Sequence, residues 1–479
     1  MSEFSQALET YIYQSGLTEN QLAKISGFTR SYIALMKNGQ RVSPDTVKLK
    51  KLLEALGLSP YEYDTLWNFY LKARYGEQAY ELRMNVISFI ESFGRLSKIS
   101  IRSDFHHDIP DIKTINNRMD LEVFVKAVLE QEALNPRGYV RMIMQEGFSF
   151  LYNMLSAICR GGNKLAIEHI VGLEGYDGQE SSNPGYNLKI LGTIMPVMLA
   201  GNDNGYNVYY YYEKVVSYFS GSVLMPYVII TSDYVINISA DYEYALISRE
   251  ADTHRLFSQL FMQRRKSCKK MLTRIPTGMN MFEYYAKHRP ASETMYTIGS
   301  QPCFGVFPVD TLVKNYFALE DQALLDTILE FLAQNRQIYS HGQNLTAYFT
   351  QSGIQKLMEQ GVIDELPSEL YISLLPEDRL KLLKMLISAV KGGSYKAYML
   401  DEQKLAHPPE LIISAYSLTE VNIIYMPPHT EARFALEEQS ITRILYNFLA
   451  ELDQSTWIYS FEETVQYLED VYEHYKISL

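Results

Sequence analysis

The sequence predicts a multidomain chain: a small all-α domain at the N-terminus, then a larger α/β (α+β) region open to internal duplication. Three observations predict it. Caps and glycine stops cut the first 65 residues into five short helical pieces. Basic charge gathers in that same stretch. Beyond residue 116, strand-like runs alternate with helical ones, and some of the pattern recurs. The chain has 479 residues, which at roughly 150 residues per domain suggests three domains.

Residues 4–15 carry Phe4, Leu8 and Ile12 on one helical face. Thr18-Glu19-Asn20-Gln21 then forms a capping box, with Leu17 and Leu22 placed as a hydrophobic staple. That helix stops at Ser26-Gly27, where glycine can take the left-handed conformation. Thr29 caps the next helix, Arg30 to about Asn38, which ends at Gly39. Ser43-Pro44 is expected to open a fourth helix through Leu49, Leu52, Leu53 and Leu56, with Ser as cap and Pro at the first position. Ser59-Pro60-Tyr61-Glu62 opens a fifth with another capping box.

Two short helices joined tightly at Gly27 make a helix-turn-helix. The run from Thr18 to Arg41 contains Gln21-Leu22-Ala23, the turn Gly27, Ile33 at a buried position and the Asn38-Gly39 end, and Leu56-Gly57 closes the unit. This pattern resembles the lambda-repressor-like (Cro/cI, XRE) helix-turn-helix domain over about residues 4–58. The resemblance implies an all-α DNA-binding domain whose second motif helix reads the major groove with its first residues. Arg30 and Ser31, with Tyr32 and Ala34, would then face base edges. Arg30 suits a guanine, and Tyr32 or the Ala34 methyl suits a thymine methyl. The resemblance also places Gln21 on a phosphate, bracing the first reading residue, and Lys37, Asn38 and Arg41 on the far backbone. Thr18 and Thr29 bring helix N-termini to phosphate.

Charge agrees with that reading. The chain has 44 basic and 56 acidic residues, a formal −12, which as an average argues against nucleic acid. Between residues 20 and 51, however, Lys24, Arg30, Lys37, Arg41, Lys48, Lys50 and Lys51 face only Asp45, a net +6. Residues 1–75 carry +2 and the remainder −14. A basic head supplies the salt-sensitive part of DNA affinity, and the acidic body repels phosphate.

The expected domains are residues 1–65, helix-turn-helix; 66–115, linker helices; 116–290 and 291–479, two α/β halves. In the linker, Leu66, Phe69, Tyr70, Tyr80, Met84, Ile87 and Ile90 suggest amphipathic helices, and 96–115 look irregular. Helices are expected at 118–134 and 138–160, and again within 310–335, 344–360 and 376–391. The helix ending Arg160-Gly161-Gly162 matches the one ending Lys391-Gly392-Gly393. Hairpins at Pro226–Thr231/Tyr234–Ser239 and Glu410–Tyr416/Glu420–Met426 match too, each followed by a helix (Glu250–Met271, on Leu256, Leu260 and Met262; Glu438–Leu452). The different spacings imply an insertion of about 47 residues in the first copy, containing a hairpin at Asp203-Asn204-Gly205 before Tyr206–Tyr212. Two unrelated αβ segments remain the alternative. The two-halved region resembles the phospholipase D-like fold in outline, but that family's His-x-Lys pattern is absent from both halves, so no activity is implied.

Other chemistry is sparse. Cys159, Cys268 and Cys303 have no paired spacing, so neither a disulfide framework nor a thiolate zinc site is expected, and a reducing cytoplasm fits. The first residues lack a secretion signal, and no apolar run spans a membrane; Val223–Ile230 is strand-length. Asp104-Phe105-His106-His107-Asp108 offers metal-ligand types, with a solvated acidic loop as the alternative. The turn at Arg160–Lys164 could cradle an anion, but a plain helix stop explains it; Gly172, Gly175 and Gly178 make no dinucleotide fingerprint. Arg264-Arg265-Lys266 could add a phosphate contact or form a solvated helix end. No catalytic residue, metal ligand or cofactor is assigned. The 38 tyrosines favour polar-rimmed pockets or interfaces, with amino-acid usage bias as an equal alternative.

The leading reading is a non-enzymatic, cytoplasmic, sequence-specific transcriptional regulator. It would bind a palindromic operator in double-stranded DNA as a homodimer, with a C-terminal region that dimerises and senses a small-molecule or peptide effector, and no membrane partner. An enzyme with an autoregulatory DNA-binding head, or a protein-binding adaptor or antitoxin-like module, are the alternatives.

Overall fold

The structure, a computed structural model, describes residues 2–98, 109–162, 165–175, 185–200, 205–213, 223–278, 280–288, 294–304, 315–317, 325–326, 328–330, 333, 345–366, 371–393, 395–427 and 431–478. It divides into two units: Met1–Ile87 with Glu451–Ile458, and Ser88–Ala450 with Tyr459–Leu479. The Asp104–Asp108 cluster lies outside the described residues.

Unit 1 is helical: α1 (Glu3–Ser15), α2 (Glu19–Ser26), α3 (Arg30–Lys37), α4 (Thr46–Ala55), α5 (Pro60–Tyr75) and the first part of α6 (Glu77–Ser92). The expected periodicity is its core: Phe4, Leu8, Leu22, Ile33, Met36, Leu49, Leu52 and Leu53 are buried together with Leu66, Trp67 and Tyr70. Residues 66–87 of the expected linker group with this unit, and residues from Ser88 onward with the other. Residues 66–75 pack into the same core as α1. The segment Glu451–Ile458 also belongs here. Arg74 donates to Gln454 Oε1 at 3.2 Å, Lys50 Nζ to the Ser455 carbonyl at 3.1 Å, and Arg83 pairs with Glu451. Nothing in the local sequence announced that insertion.

One expected start is corrected. The fourth helix begins at Thr46, and its cap is Asp45, which accepts from Lys48 N at 3.0 Å. Ser43 instead accepts from Asp45 N at 3.1 Å, forming the turn before the helix. A carboxylate one residue before a free first turn outcompetes a hydroxyl placed two residues further back.

Unit 2 contains two mixed sheets. Before and within the first lie β1 (Ile112–Ile115), α7 (Arg118–Leu134), β2 (Tyr139–Ile143), α8 (Ser149–Arg160), β3 (Ala166–Glu174), α9 (Tyr186–Met198), β4 (Gly205–Glu213), β5 (Tyr227–Ile230), β6 (Val235–Ile238), β7 (Ala245–Ser248), α10 (Ala251–Lys266) and β8 (Lys269–Lys270). The second holds β9 (Leu272–Ile275), α11 (Asn280–Lys287), β10 (Met295–Ile298), β11 (Leu345–Phe349), α12 (Gln351–Gln360), α13 (Pro376–Lys391), β12 (Lys396–Met399), β13 (Leu411–Ser417), β14 (Glu420–Tyr425), β15 (Ala432–Leu436), α14 (Gln439–Ala450) and α15 (Phe461–Ser478).

The strand orders are β8-β4-β3-β2-β5-β6-β7-β1 and β12-β11-β10-β13-β14-β15-β9. Among the described residues the edge strand β8 has no counterpart in the second sheet; the other seven strands coincide in order and direction: β2-β3-β4 and β10-β11-β12 are parallel, and the meander beyond β2 or β10 is antiparallel. Even a cap is shared. Glu250 accepts from Asp252 and Thr253 N at the start of α10, and Glu438 accepts from Ser440 and Ile441 N at the start of α14. This common topology is what an internal duplication would leave.

Its expected register needs correcting. The helix ending Gly161-Gly162 leads into β3, whereas the one ending Gly392-Gly393 leads into β12, and β12 corresponds to β4. The two stops look alike because each ends in a positive-φ glycine, Gly162 (+81°) and Gly393 (+71°), which any helix end can use. The longer connection lies in the second copy, between Ile298 and Leu345, and not in the first. The chain changes sheets between Lys270 and Leu272, upstream of the expected 290/291 division.

Four elements read differently from expectation. Leu345–Phe349, expected as the start of a helix, is strand β11, paired in parallel with β10 and β12. Tyr139–Ile143, expected as helix, is the central strand β2. Tyr206–Tyr212 is strand as expected, but it pairs in parallel with β3 after α9 and forms no hairpin with it. In α10 the buried residue is Phe261, while Leu256 and Leu260 stay about half exposed.

Candidate nucleic-acid interface

The head's geometry follows from its caps. Thr18 Oγ1 accepts from Gln21 N at 3.4 Å, and Gln21 Oε1 accepts from Thr18 N at 2.9 Å, closing the capping box. Gly27 has φ +78° and its N–H reaches the Ala23 carbonyl at 3.0 Å. Thr29 Oγ1 accepts from Tyr32 N at 3.2 Å and lies 3.1 Å from Ser31 Oγ. The pair α2–α3 is thus fixed at both ends of its turn, with Leu22, Ile33 and Met36 fully buried beneath.

The proposed contact residues separate into groups. Thr18, Gln21, Thr29, Arg30, Ser31, Asn38 and Arg41 are exposed, and Ala34 and Lys37 are half-buried. The N-terminal turn of α3 therefore presents Arg30 and Ser31 to solvent, as base reading requires. Tyr32 is partly buried. Its ring stacks on Phe28 at 5.2 Å and 4°, and the Arg41 guanidinium lies 6.0 Å from its centroid. Tyr32 braces the turn and Arg41. Gln21 has its carbonyl oxygen committed to the cap, which leaves its NH₂ as the outward donor.

The basic face is less free than its sequence suggested. Glu19 Oε2 lies 3.4 Å from Arg30 Nε, and Glu19 Oε1 lies 3.0 Å from Lys37 Nζ. The Lys37 hydrogen bond lowers the Glu19 carboxyl from its ordinary value, opposed by desolvation and aided by the Lys37 charge and by Arg30. Lys48 pairs with Asp45 at 3.4 Å, and Lys50 is held by the Ser455 carbonyl with its ammonium 5.8 Å from the Trp67 ring. Lys24 and Lys51 are exposed. Sequence reasoning counted these cations but missed Glu19. An acid at the first position of a helix reads as dipole chemistry, and its cross-helix partners are visible only in the fold.

Elsewhere, the run near residue 265 is already engaged. Arg264 stacks on Tyr211 at 3.8 Å and faces Glu213 at 3.6 Å; Arg265 lies over Tyr209 and faces Glu168 at 3.8 Å. Arg160-Gly161-Gly162 is a helix stop. Cys159, Cys268 and Cys303 are free thiols, and burial pushes the Cys159 thiol up to about 11. Among the described residues no group of His, Cys, Asp and Glu is arranged to hold a metal, and no helix is long and apolar enough to cross a membrane.

Comparison with known proteins agrees on the head. The helix-turn-helix family matches residues 11–63. The HTH-type transcriptional repressor RghR of Bacillus subtilis (strain 168) is 37% identical over 83 residues, 17% of this chain. The match spans 57% of that repressor's length. Among solved structures, phosphatidylserine synthase of Haemophilus influenzae Rd KW20 aligns over 81% of this chain and 98% of its own at 8% identity, with a TM-score of 0.23. Polyphosphate kinase from Porphyromonas gingivalis aligns over 74% and 52% at 12% identity, with a TM-score of 0.21. Superpositions that loose assign neither a fold nor an activity to unit 2. Residues 11–63 of this chain are a helix-turn-helix domain.

Proposed function

We propose that the protein is a sequence-specific transcriptional regulator that binds double-stranded DNA through α2 and α3. The observation that carries the reading is the exposed first turn of α3, with Arg30 and Ser31 outward. Beside it stand two capped helix N-termini, Thr18 and Thr29. Backbone amides at such termini suit phosphate, and Arg30 suits the two acceptors of guanine. The repressor similarity over the same residues supports it.

The finer reading is a cytoplasmic homodimer on a palindromic operator, with unit 2 supplying dimerisation and effector sensing rather than catalysis. A two-fold site needs two heads at fixed spacing, which a dimeric body supplies. A tyrosine-rich group supports an effector site at the carboxyl ends of β2 and β3, where α/β sheets bind ligands. There the Tyr186 hydroxyl lies 2.9 Å from the Gln145 side chain, Tyr242 donates to the Glu146 carbonyl at 2.9 Å, and Tyr227 stacks on Tyr242 at 4.8 Å. Gly172 makes room, since a Cβ there would meet the Gln145 amide at 2.8 Å.

The test is a band shift at several salt concentrations, comparing the full chain with an Arg30→Ala, Gln21→Ala double variant. The variant is expected to lose sequence preference. Undiminished sequence-specific binding by the variant overturns the assignment of α3. A small molecule co-purifying with the protein and identified by mass spectrometry supports the sensing role; a turned-over substrate contradicts it.

A further inference from the structure

Arg30 and Lys37 stand seven residues apart on α3, two turns along one face. Glu19, at the first position of α2, lies between them and gives one carboxylate oxygen to each. The three side chains differ in exposure: Arg30 68%, Lys37 26% and Glu19 22%. Glu19 is thus a half-sheltered carboxylate inside the surface that Thr18, Gln21, Arg30 and Ser31 present. On DNA, a carboxylate there has two effects. It repels the phosphates that approach the N-terminus of α2. It also competes with phosphate for Arg30 and Lys37 wherever the duplex offers Arg30 no base edge.

We propose that Glu19 is a specificity-determining residue of the DNA interface. By occupying Arg30 and Lys37 it lowers affinity for phosphate in general. Only a duplex offering Arg30 a base edge in the right place repays the exchange. The inference rests on the DNA-binding reading above. A role confined to bracing α2 against α3 would show in stability and leave sequence discrimination alone.

The decisive comparison is the full chain against Glu19→Gln, which keeps shape and removes charge. Each is titrated with a selected duplex and with a scrambled duplex between 50 and 200 mM salt. Freeing one or two cations steepens the salt slope by about 0.9 per phosphate gained. Across that range the affinity of Glu19→Gln for scrambled DNA should fall about 3- to 12-fold more than that of the unaltered chain. Its preference for the selected duplex should drop, because the scrambled duplex gains phosphate contacts from the freed cations. Glu19→Asp keeps the charge and should restore most of the preference, which guards against a folding defect in the first variant.

An unchanged slope and preference in Glu19→Gln, with the unaltered chain binding its duplex, overturns the role of Glu19 alone. Failure of the unaltered chain to bind any duplex at the lowest salt overturns the DNA-binding reading and this inference with it.

Discussion

Replacing Tyr70 with Phe removes one hydroxyl from the centre of unit 1. The ring is fully buried, 5.6 Å from Phe4 and 5.1 Å from Trp67, and Phe keeps both contacts. The hydroxyl donates to the Ser43 carbonyl at 2.8 Å and accepts from Arg74 Nη1 at 2.8 Å. Ser43 is itself buried, in the loop between α3 and α4 that carries Arg41. Leaving a buried acceptor unpaired costs about 1–3 kcal/mol. Arg74 keeps Gln454 at 3.2 Å, so its charge is not stranded. The expected loss is about 2 kcal/mol, because only the neutral acceptor is orphaned. Trp67 and Trp457, the chain's two tryptophans, both lie in unit 1, so their fluorescence in a urea titration reports this unit directly. The midpoint should fall with an unchanged slope. A loss below about 0.5 kcal/mol, the ordinary scatter of surface changes, would refute the tie between α5 and the loop.

Three further outcomes are expected. Gly353→Ala would place a Cβ 1.8 Å from the Ser300 carbonyl oxygen and 2.3 Å from its carbon, both backbone, so unit 2 should lose about 3 kcal/mol or more by overpacking. A circular-dichroism melt within one degree or so of the unaltered chain would contradict it. Burial lowers His169 to about 4 and His407 to about 3, so both are neutral in the fold near pH 7. Unfolded imidazole takes its proton near pH 6.5, so stability is full above that pH and falls as acid approaches the folded values, by about 1.4 kcal/mol per pH unit for each histidine. Neither ring nitrogen of His407 is hydrogen-bonded, so His407→Leu should flatten this acid slope, and urea titrations at pH 7 and pH 5 that show equal slopes in both proteins would refute it. Arg264→Ala with Arg265→Ala should leave the salt dependence of DNA binding unchanged, because both side chains are held by Tyr211, Tyr209, Glu213 and Glu168; a slope reduced by about one unit would show a phosphate contact.

What was legible in the sequence was local. Capping boxes at Thr18 and Ser59, the stop at Gly27 and the face of Phe4, Leu8 and Ile12 are set within a few residues, and each reappears in the structure. The two hairpins were legible for the same reason, as alternating apolar runs around a short turn. What failed depended on distant partners. Tyr139–Ile143 reads as helix by continuity with the next segment, yet β3 and β5 on either side make it a strand. The Gly pairs mark helix ends in general, so they misaligned the two copies, which only strand order sets right. Glu19 looked like a helix-start acid until α3 placed two cations against it.

The central claim is that α3 reads base pairs. Duplexes selected from a random library by the full chain, followed by methylation interference at guanine N7, test it most directly. The account predicts one enriched sequence, repeated as two half-sites about one helical turn apart, with a guanine whose methylation blocks binding. That interference should vanish in Arg30→Ala. No enriched sequence, or a guanine signal that persists in Arg30→Ala, would contradict it.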